Sequence, residues 1–296
     1  MPIRLPSSLR PDRVKQAMRS PYAAPVRGAY RLVTAANLGL VRVVDARRAP
    51  SRTAADRQEV AERVTIAVKT FERPAMIRRF LRSARRVFDG RIVVADDSRQ
   101  PVGPSGPWVD VIALPFNSGV AVGRNAALAA VETEFVFVCD DDIVLTALTD
   151  LAVLMDYLDH NPQVDIVGVA LVDLPVRKLV DRSTSPLFAG AGEPRIPLGT
   201  VIDELPVVGK VAQVYLGRTE AVRAVGWDER LRMVDHRDFF SRASGRLVTV
   251  QHDRVLAYHA QTPFDASYAR YREDVADDLT YLGRKWSPTA GRSDDT

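Results

Sequence analysis

The chain has 296 residues, 46% hydrophobic and 26% charged, with 17 glycines and 19 prolines. That composition excludes a disordered or fibrous chain and suffices for one large α/β core or two small ones. Cys139 is the only cysteine, which excludes an intrachain disulfide and an all-cysteine zinc site and fits a reduced compartment.

Residues 1–60 carry 12 Lys/Arg against 4 Asp/Glu, a net of +8 in a chain of net +4, so the remainder is acidic. This basic segment suits a solvated arm, an anionic lipid surface or nucleic acid. It holds one short apolar patch, Leu38 to Val44, and no clear period. Nothing in the chain has the roughly 18 consecutive apolar residues of a membrane span, and the N-terminus lacks the apolar core of a signal peptide.

From Val64 the pattern changes. Val64, Ile66 and Val68 alternate with Thr65, Ala67 and Lys69, as in a strand. Pro74 opens a helix through Ile77, Phe80, Leu81 and Ala84. Strands are expected at Arg91–Ala95 and Val109–Leu114, then an alanine-rich helix at Val120–Val131. Phe135–Cys139 reads as a buried strand, Leu148–Leu158 as a helix, and Val164–Leu171 as a further strand. Residues 173–210 read as a long irregular excursion of the kind that often binds ligands. After it come a strand at Val211–Leu216, a short helix from Thr219 to Gly226, and short strands at Val248–Val250 and Val255–Tyr258.

Strands alternating with helices predict an α/β, doubly wound, mostly parallel sheet with helices on both faces. Ligands of such sheets sit outside the carboxyl ends of the strands. The polar clusters fall there: Lys69 and Thr70, Asp96 to Ser98, and Asp140 to Asp142. Three adjacent carboxylates repel unless a cation sits among them, and strand alternation would put Asp140 and Asp142 on one side. Hard cations such as Mg²⁺ or Mn²⁺ take carboxylate and phosphate oxygens together. Asp96 and Asp97 suit either a nucleoside or ordinary turn chemistry. Arg124, inside an apolar helix, pairs with a phosphate or with an internal carboxylate. His259, at a strand end, is a third metal ligand or a structural histidine. Asp238, beside Phe239 and Phe240, is a desolvated base or a helix-start carboxylate. Neither G-x-G-x-x-G nor a Walker A loop is present, which disfavours dinucleotide enzymes and P-loop kinases.

The stretches 64–73 (VTIAVKTFER), 93–98 (VVADDS), 116–119 (FNSG), 123–127 (GRNAA) and 133–142 (TEFVFVCDDD) together resemble a GT-A nucleotide-sugar glycosyltransferase. With 216–219 (LGRT), 222–226 (VRAVG), 236–240 (HRDFF) and 268–272 (YARYR), they are similar to the catalytic domain of the ganglioside-type β-1,4-N-acetylgalactosaminyltransferases. The resemblance covers residues 62–272, with 1–61 as a partly ordered basic segment and 273–296 as a C-terminal helix and flexible tail.

It implies a GT-A fold in one catalytic domain. It also implies inverting, metal-dependent transfer of a hexose or N-acetylhexosamine from a UDP-sugar to a glycan or other acceptor hydroxyl. Asp142, His259 and Asp140 would hold Mn²⁺ or Mg²⁺. Thr70, Phe71, Arg73, Asp96, Asp97, Arg124, Asp140 and Asp141 would bind the donor. Asp238 would be the base, where the family has Glu. With one cysteine and no anchor, the expected enzyme is bacterial and cytoplasmic, peripheral to the inner membrane face through residues 1–60, with no nucleic-acid partner. The alternatives are a non-catalytic sugar-nucleotide or glycan-binding module and a haloacid-dehalogenase-type phosphatase using Asp140.

Overall fold

The computed structural model describes residues 20–47, 52–104, 106–180, 186–261, 266–272 and 274–287. The first elements are α1 (Ala24–Ala46), α2 (Ala54–Arg63), β1 (Val64–Thr70), α3 (Pro74–Ala84), β2 (Ile92–Asp96), β3 (Val109–Ala113) and α4 (Val120–Ala129). Next come β4 (Phe135–Asp140), β5 (Ile143–Val144), α5 (Leu151–His160), β6 (Ile166–Asp173), β7 (Lys178–Val180), β8 (Val201–Ile202) and β9 (Leu205–Pro206). The last are β10 (Tyr215–Arg218), α6 (Thr219–Val225), α7 (His236–Ala243), β11 (Thr249–His259), α8 (Ala266–Arg272) and α9 (Ala276–Lys285).

Period-two alternation sorts the strand residues onto two buried faces. Ile66, Val68, Phe137 and Cys139 pack with Val60, Ile77, Phe80, Leu154 and Leu158. Ala67, Val136 and Val138 face the other way, onto Ala121, Leu128, Val222, Phe239 and Phe240. The sheet order is β3-β2-β1-β4-β10-β6-β11-β5, with β7 paired to β6. β3, β2, β1 and β4 are parallel, as are β6 and β11.

The sheet is mostly parallel, as expected; the short β5 and β7 pair antiparallel at its end, and within it β10 runs antiparallel to both β4 and β6. Among the described residues no helix crosses the sheet between β6 and β10, and the chain re-enters at the end it left and runs backwards. The two expected short strands near the C-terminus are one strand, β11, with a register shift between His252 and Leu256. The helix expected from Leu148 begins at Leu151, because the Asp150 carboxylate accepts from the amides of Ala152 and Val153 and starts it there.

The excursion is tied down. β8 and β9 form a hairpin, the Tyr157 hydroxyl donates to Ile202 O at 2.6 Å, Val207 bridges Val250, and Leu205 and Val207 join the core. The boundary expected at residues 61/62 falls inside α2. Thr53 and Asp56 cap that helix reciprocally, Val60 is buried in the main core, and Arg63 leads directly into β1. Residues 1–19 and the expected flexible tail after residue 287 lie outside the described residues. Val60→Ala should therefore lower unfolding free energy by about 2 kcal/mol in urea melts, as a core truncation does.

Candidate active site

Parallel register sets Thr70 beside Asp96 and Lys69 beside Asp140, so several strands end their apolar runs at one edge. A cavity of about 220 Å³ opens there. Phe71 and Arg73 line it from the turn after β1, Asp140 and Asp142 from the end of β4, and Arg124 from α4. Asp235 and His236 close it at the start of α7, with His259 from β11 and Tyr268 from α8.

Strand geometry stops at Asp140, and the chain turns at Asp141 and Asp142. Even so, Asp140 and Asp142 both line the cavity, as expected, while Asp141 turns behind it. Asp140 Oδ1 accepts from Arg124 Nη2 at 2.6 Å, and the same guanidinium bonds Asp235. Asp141 and Asp142 share Arg73, with Nη1 to Asp142 Oδ2 at 3.0 Å. Asp141 is fully buried behind the cavity, where it also accepts the Thr70 hydroxyl at 2.7 Å. Burial pushes the Asp141 carboxyl up to about 6, against the pull of Arg73.

His259 Nε2 lies 3.3 Å from Asp142 Oδ1, and its Nδ1 lies 2.7 Å from Asp173 Oδ1. Asp173 thus orients the ring so that its other nitrogen faces Asp142. Burial works against the imidazolium, but Asp142 and Asp173 outweigh it and raise His259 above its ordinary range. Among the described residues no three His, Cys, Asp or Glu side chains gather as a protein metal cage. One carboxylate and one imidazole at a cavity wall suit a divalent cation that takes its other ligands from a phosphate-bearing substrate. Asp140, expected in that set, faces Arg124 instead.

Asp96 and Asp97 do not line the cavity. Asp96 accepts the amides of Ser98 at 2.9 Å and Val102 at 2.8 Å, which is turn chemistry. Asp97, also buried, accepts Gly119 N at 3.0 Å and pairs with Lys69 Nζ at 2.7 Å. Both glycines nearby are required. Gly119 has φ +106°, and a Cβ on Gly123 would fall 2.4 Å from Lys69 Cγ. Burial pulls the Lys69 ammonium below its usual range, and Asp97 offsets part of that. Thr70, Asp96, Asp97 and Asp141 thus form a buried polar layer beneath Phe71, Arg73, Arg124, Asp140 and Asp142, which reach the cavity.

Asp238 is not brought to the cavity. It is fully buried on the inner side of α7, where Oδ2 accepts from Arg242 Nε at 2.7 Å. Its Oδ1 takes Trp286 Nε1 at 2.9 Å and Lys285 Nζ at 2.7 Å. The expected base is therefore a structural anchor, because Arg242 of its own helix and Lys285 and Trp286 at the end of α9 take both of its oxygens. Asp235, three residues earlier, is the carboxylate that reaches the cavity. Burial raises its pKa, and Arg124 pulls it back. Asp278 of α9 accepts the amides of Arg232, Met233 and Val234 at 3.1, 2.7 and 2.9 Å, and so shapes the turn that delivers Asp235. The C-terminal helix, expected outside the catalytic domain, braces it. Lys69 and Tyr268 lie inside the stretches 64–73 and 268–272 that carry the resemblance, whereas Asp173, Asp235 and Asp278 stand outside all of those stretches.

Residues 65–198 match the model of the family described as Glycosyl transferase family 2. The chain is 36% identical over 233 residues to human Beta-1,4 N-acetylgalactosaminyltransferase 1, covering 71% of this chain and 43% of that protein. It is 30% identical to mouse Beta-1,4 N-acetylgalactosaminyltransferase 2 over 74% of this chain and 45% of that protein. The chain thus spans less than half the length of the curated relatives it matches. Among solved structures, residues 1–349 of S. aureus TarS superpose with TM-score 0.51 at 18% identity, over 77% of this chain and 74% of that one. The same protein in complex with UDP-GlcNAc gives TM-score 0.50 at 18% identity, over 68% and 61%. The fold is of the GT-A glycosyltransferase type.

Asp238→Asn should destabilise the fold by about 3 kcal/mol, because Lys285 and Arg242 lose a buried counter-charge. Thermal and urea melts measure it. An unchanged melt would mean that the anchor is dispensable.

Proposed function

We propose, for a chain that belongs to glycosyl transferase family 2, that it moves a hexose or N-acetylhexosamine from a UDP-sugar to an acceptor hydroxyl with inversion. The observation that carries this reading is the cavity at the strand ends, where Asp142 and His259 stand together between Arg73 and Arg124. The N-acetylgalactosaminyltransferase names of the relatives and the UDP-GlcNAc bound to TarS support the donor class. The family match leaves the phosphatase alternative without support.

Asp142 and His259 would hold a divalent cation, which when bound supplies positive charge to the donor diphosphate. Arg73 and Arg124 add guanidinium charge at the same wall, suited to bidentate phosphate contact. Phe71, packed with Phe116 and Tyr271 at ring distances of 5.6 and 5.1 Å, offers an aromatic surface for the nucleoside. Asp235 replaces Asp238 as the proton acceptor. It lies across the cavity from the Asp142–His259 pair, and its raised pKa strengthens it as a base while Arg124 keeps it ionised. The acceptor oxygen gives its proton to Asp235 as it attacks C1 of the sugar. The bond to the diphosphate breaks on the opposite side, and the anomeric centre inverts. None of the described residues of 174–210 lines the cavity, so exclusion of water falls to Tyr268 and the 212–214 wall.

A UDP-release screen over UDP-sugars, with Mn²⁺ and with excess EDTA, tests the reading. Turnover should need a UDP-sugar and a divalent cation, and Asp142→Asn should abolish most of it. Full turnover in EDTA would remove the cation from the reading. Asp235→Asn should lower transfer by roughly 10²–10⁴ with UDP affinity little changed. Near-normal transfer by that variant would move the base to His236.

A further inference from the structure

The geometry points to a second site, on the face opposite the base, built by α1 and α3. A cavity of about 170 Å³ lies between these helices, lined by Arg42, Asp45, Arg79, Arg82, Arg86 and Thr146 among others. Helix α3 contains no acidic residue. Arg42, Arg82 and Arg86 form no ion pair with a carboxylate among the described residues, and Asp45 is taken up by the amide of Ala147. Arg79 donates to the carbonyls of Asp142 at 3.2 Å and Ala260 at 2.8 Å, and its buried Nε has no partner. Four guanidinium groups around one small cavity are a receptor for a multiply charged anion of the phosphate class.

The outer surface of α1 adds an independent observation. Thr34, Leu38 and Val41 are buried, and Leu38 packs with Val144, Leu174 and Ala260. At about 100° per residue, Leu32 and Val43 fall opposite that buried face, and Val26, Val33, Leu40 and Val44 fall on one line beside them, about 100° from the buried face. All six are exposed, Val26 at 54% and Leu32 at 73%. A soluble helix turns charge outward. Here the charge is confined to one flank, where Arg27, Arg31 and Arg42 stand, and Asp45 is the only acid in the helix. No described helix is long and apolar enough to cross a membrane. An apolar outer surface with arginine on its flank, and a phosphate-sized basic cavity where that helix meets α3, suit a helix that lies in a bilayer interface.

We propose that α1 rests on an anionic phospholipid surface. Its ridge enters the headgroup–acyl boundary, and the Arg42, Arg79, Arg82 and Arg86 cavity takes a headgroup phosphate. Flotation of the full chain with phosphatidylcholine vesicles, with and without phosphatidylglycerol, tests this. Binding should require phosphatidylglycerol and weaken with salt. Arg82→Gln with Arg86→Gln should weaken it about 30-fold, and Leu32→Glu with Leu40→Glu should weaken it comparably, both with unchanged circular dichroism. Equal binding to neutral vesicles, or binding that survives either double variant, would overturn the proposal. Calorimetric binding of inorganic phosphate without vesicle binding would assign the cavity to a free anion. Concentration-dependent dimerisation lost in Leu32→Glu with Leu40→Glu would assign the ridge to a second copy. Either result overturns the lipid surface.

Discussion

Everything at the cavity follows from the need to neutralise carboxylates that a parallel sheet forces together. Asp140, Asp141 and Asp142 end one strand, and Asp235 approaches from across the opening. Two arginines answer them. Arg124 spans Asp140 and Asp235, and Arg73 spans Asp141 and Asp142. Each guanidinium sits at the end of a different layer, one on α4 and one after β1. The two arginines, with four ion pairs between them, therefore lock both helical layers to the strand ends. A buried carboxylate without such a partner would protonate or unfold the edge.

A second layer of constraint lies behind the first. Lys69 crosses under Phe71 to Asp97, through the space that Gly123 leaves open. Helix α9 fastens the opposite wall, with Asp278 on the turn at 232–234 and Trp286 and Lys285 on Asp238. Asp228 receives Lys285 as well, so one lysine joins two acids of the same segment. The position of Asp235 depends on residues more than forty positions away in the chain.

The arginine cavity and the catalytic cavity adjoin consecutive residues of one segment, Asp142 and Ile143 at one and Val144 to Thr146 at the other. Arg79 bonds the backbone carbonyls of Asp142 and Ala260, and α1 packs its inner face against Val144 and Ala260. A surface that engages α1 would lie alongside the loop carrying the Asp142 carboxylate. The unpaired charge of α3 is costly to hold near that loop unless an anion balances it.

From its sequence alone the chain determined its strands, their alternating burial, the edge where polar residues collect, and the family that the motifs resemble. Those are local properties. Val64 to Val68 and Phe135 to Cys139 are apolar because both faces of a central strand are covered, and the aspartates follow because the strands end in solvent. Which aspartate faces outward was not local. Asp140 and Asp142 met different guanidiniums, Asp96 and Asp97 went to backbone amides and Lys69, and Arg124 on one side against Arg242, Lys285 and Trp286 on the other decided between Asp235 and Asp238. The reversal of β10 depended on the missing crossover before it. Helix α1 lacked a legible period because it is apolar on both sides, toward the core and away from it. Tertiary structure settled these points because they depend on which partner each charge or apolar face meets, and those partners lie far away in the chain.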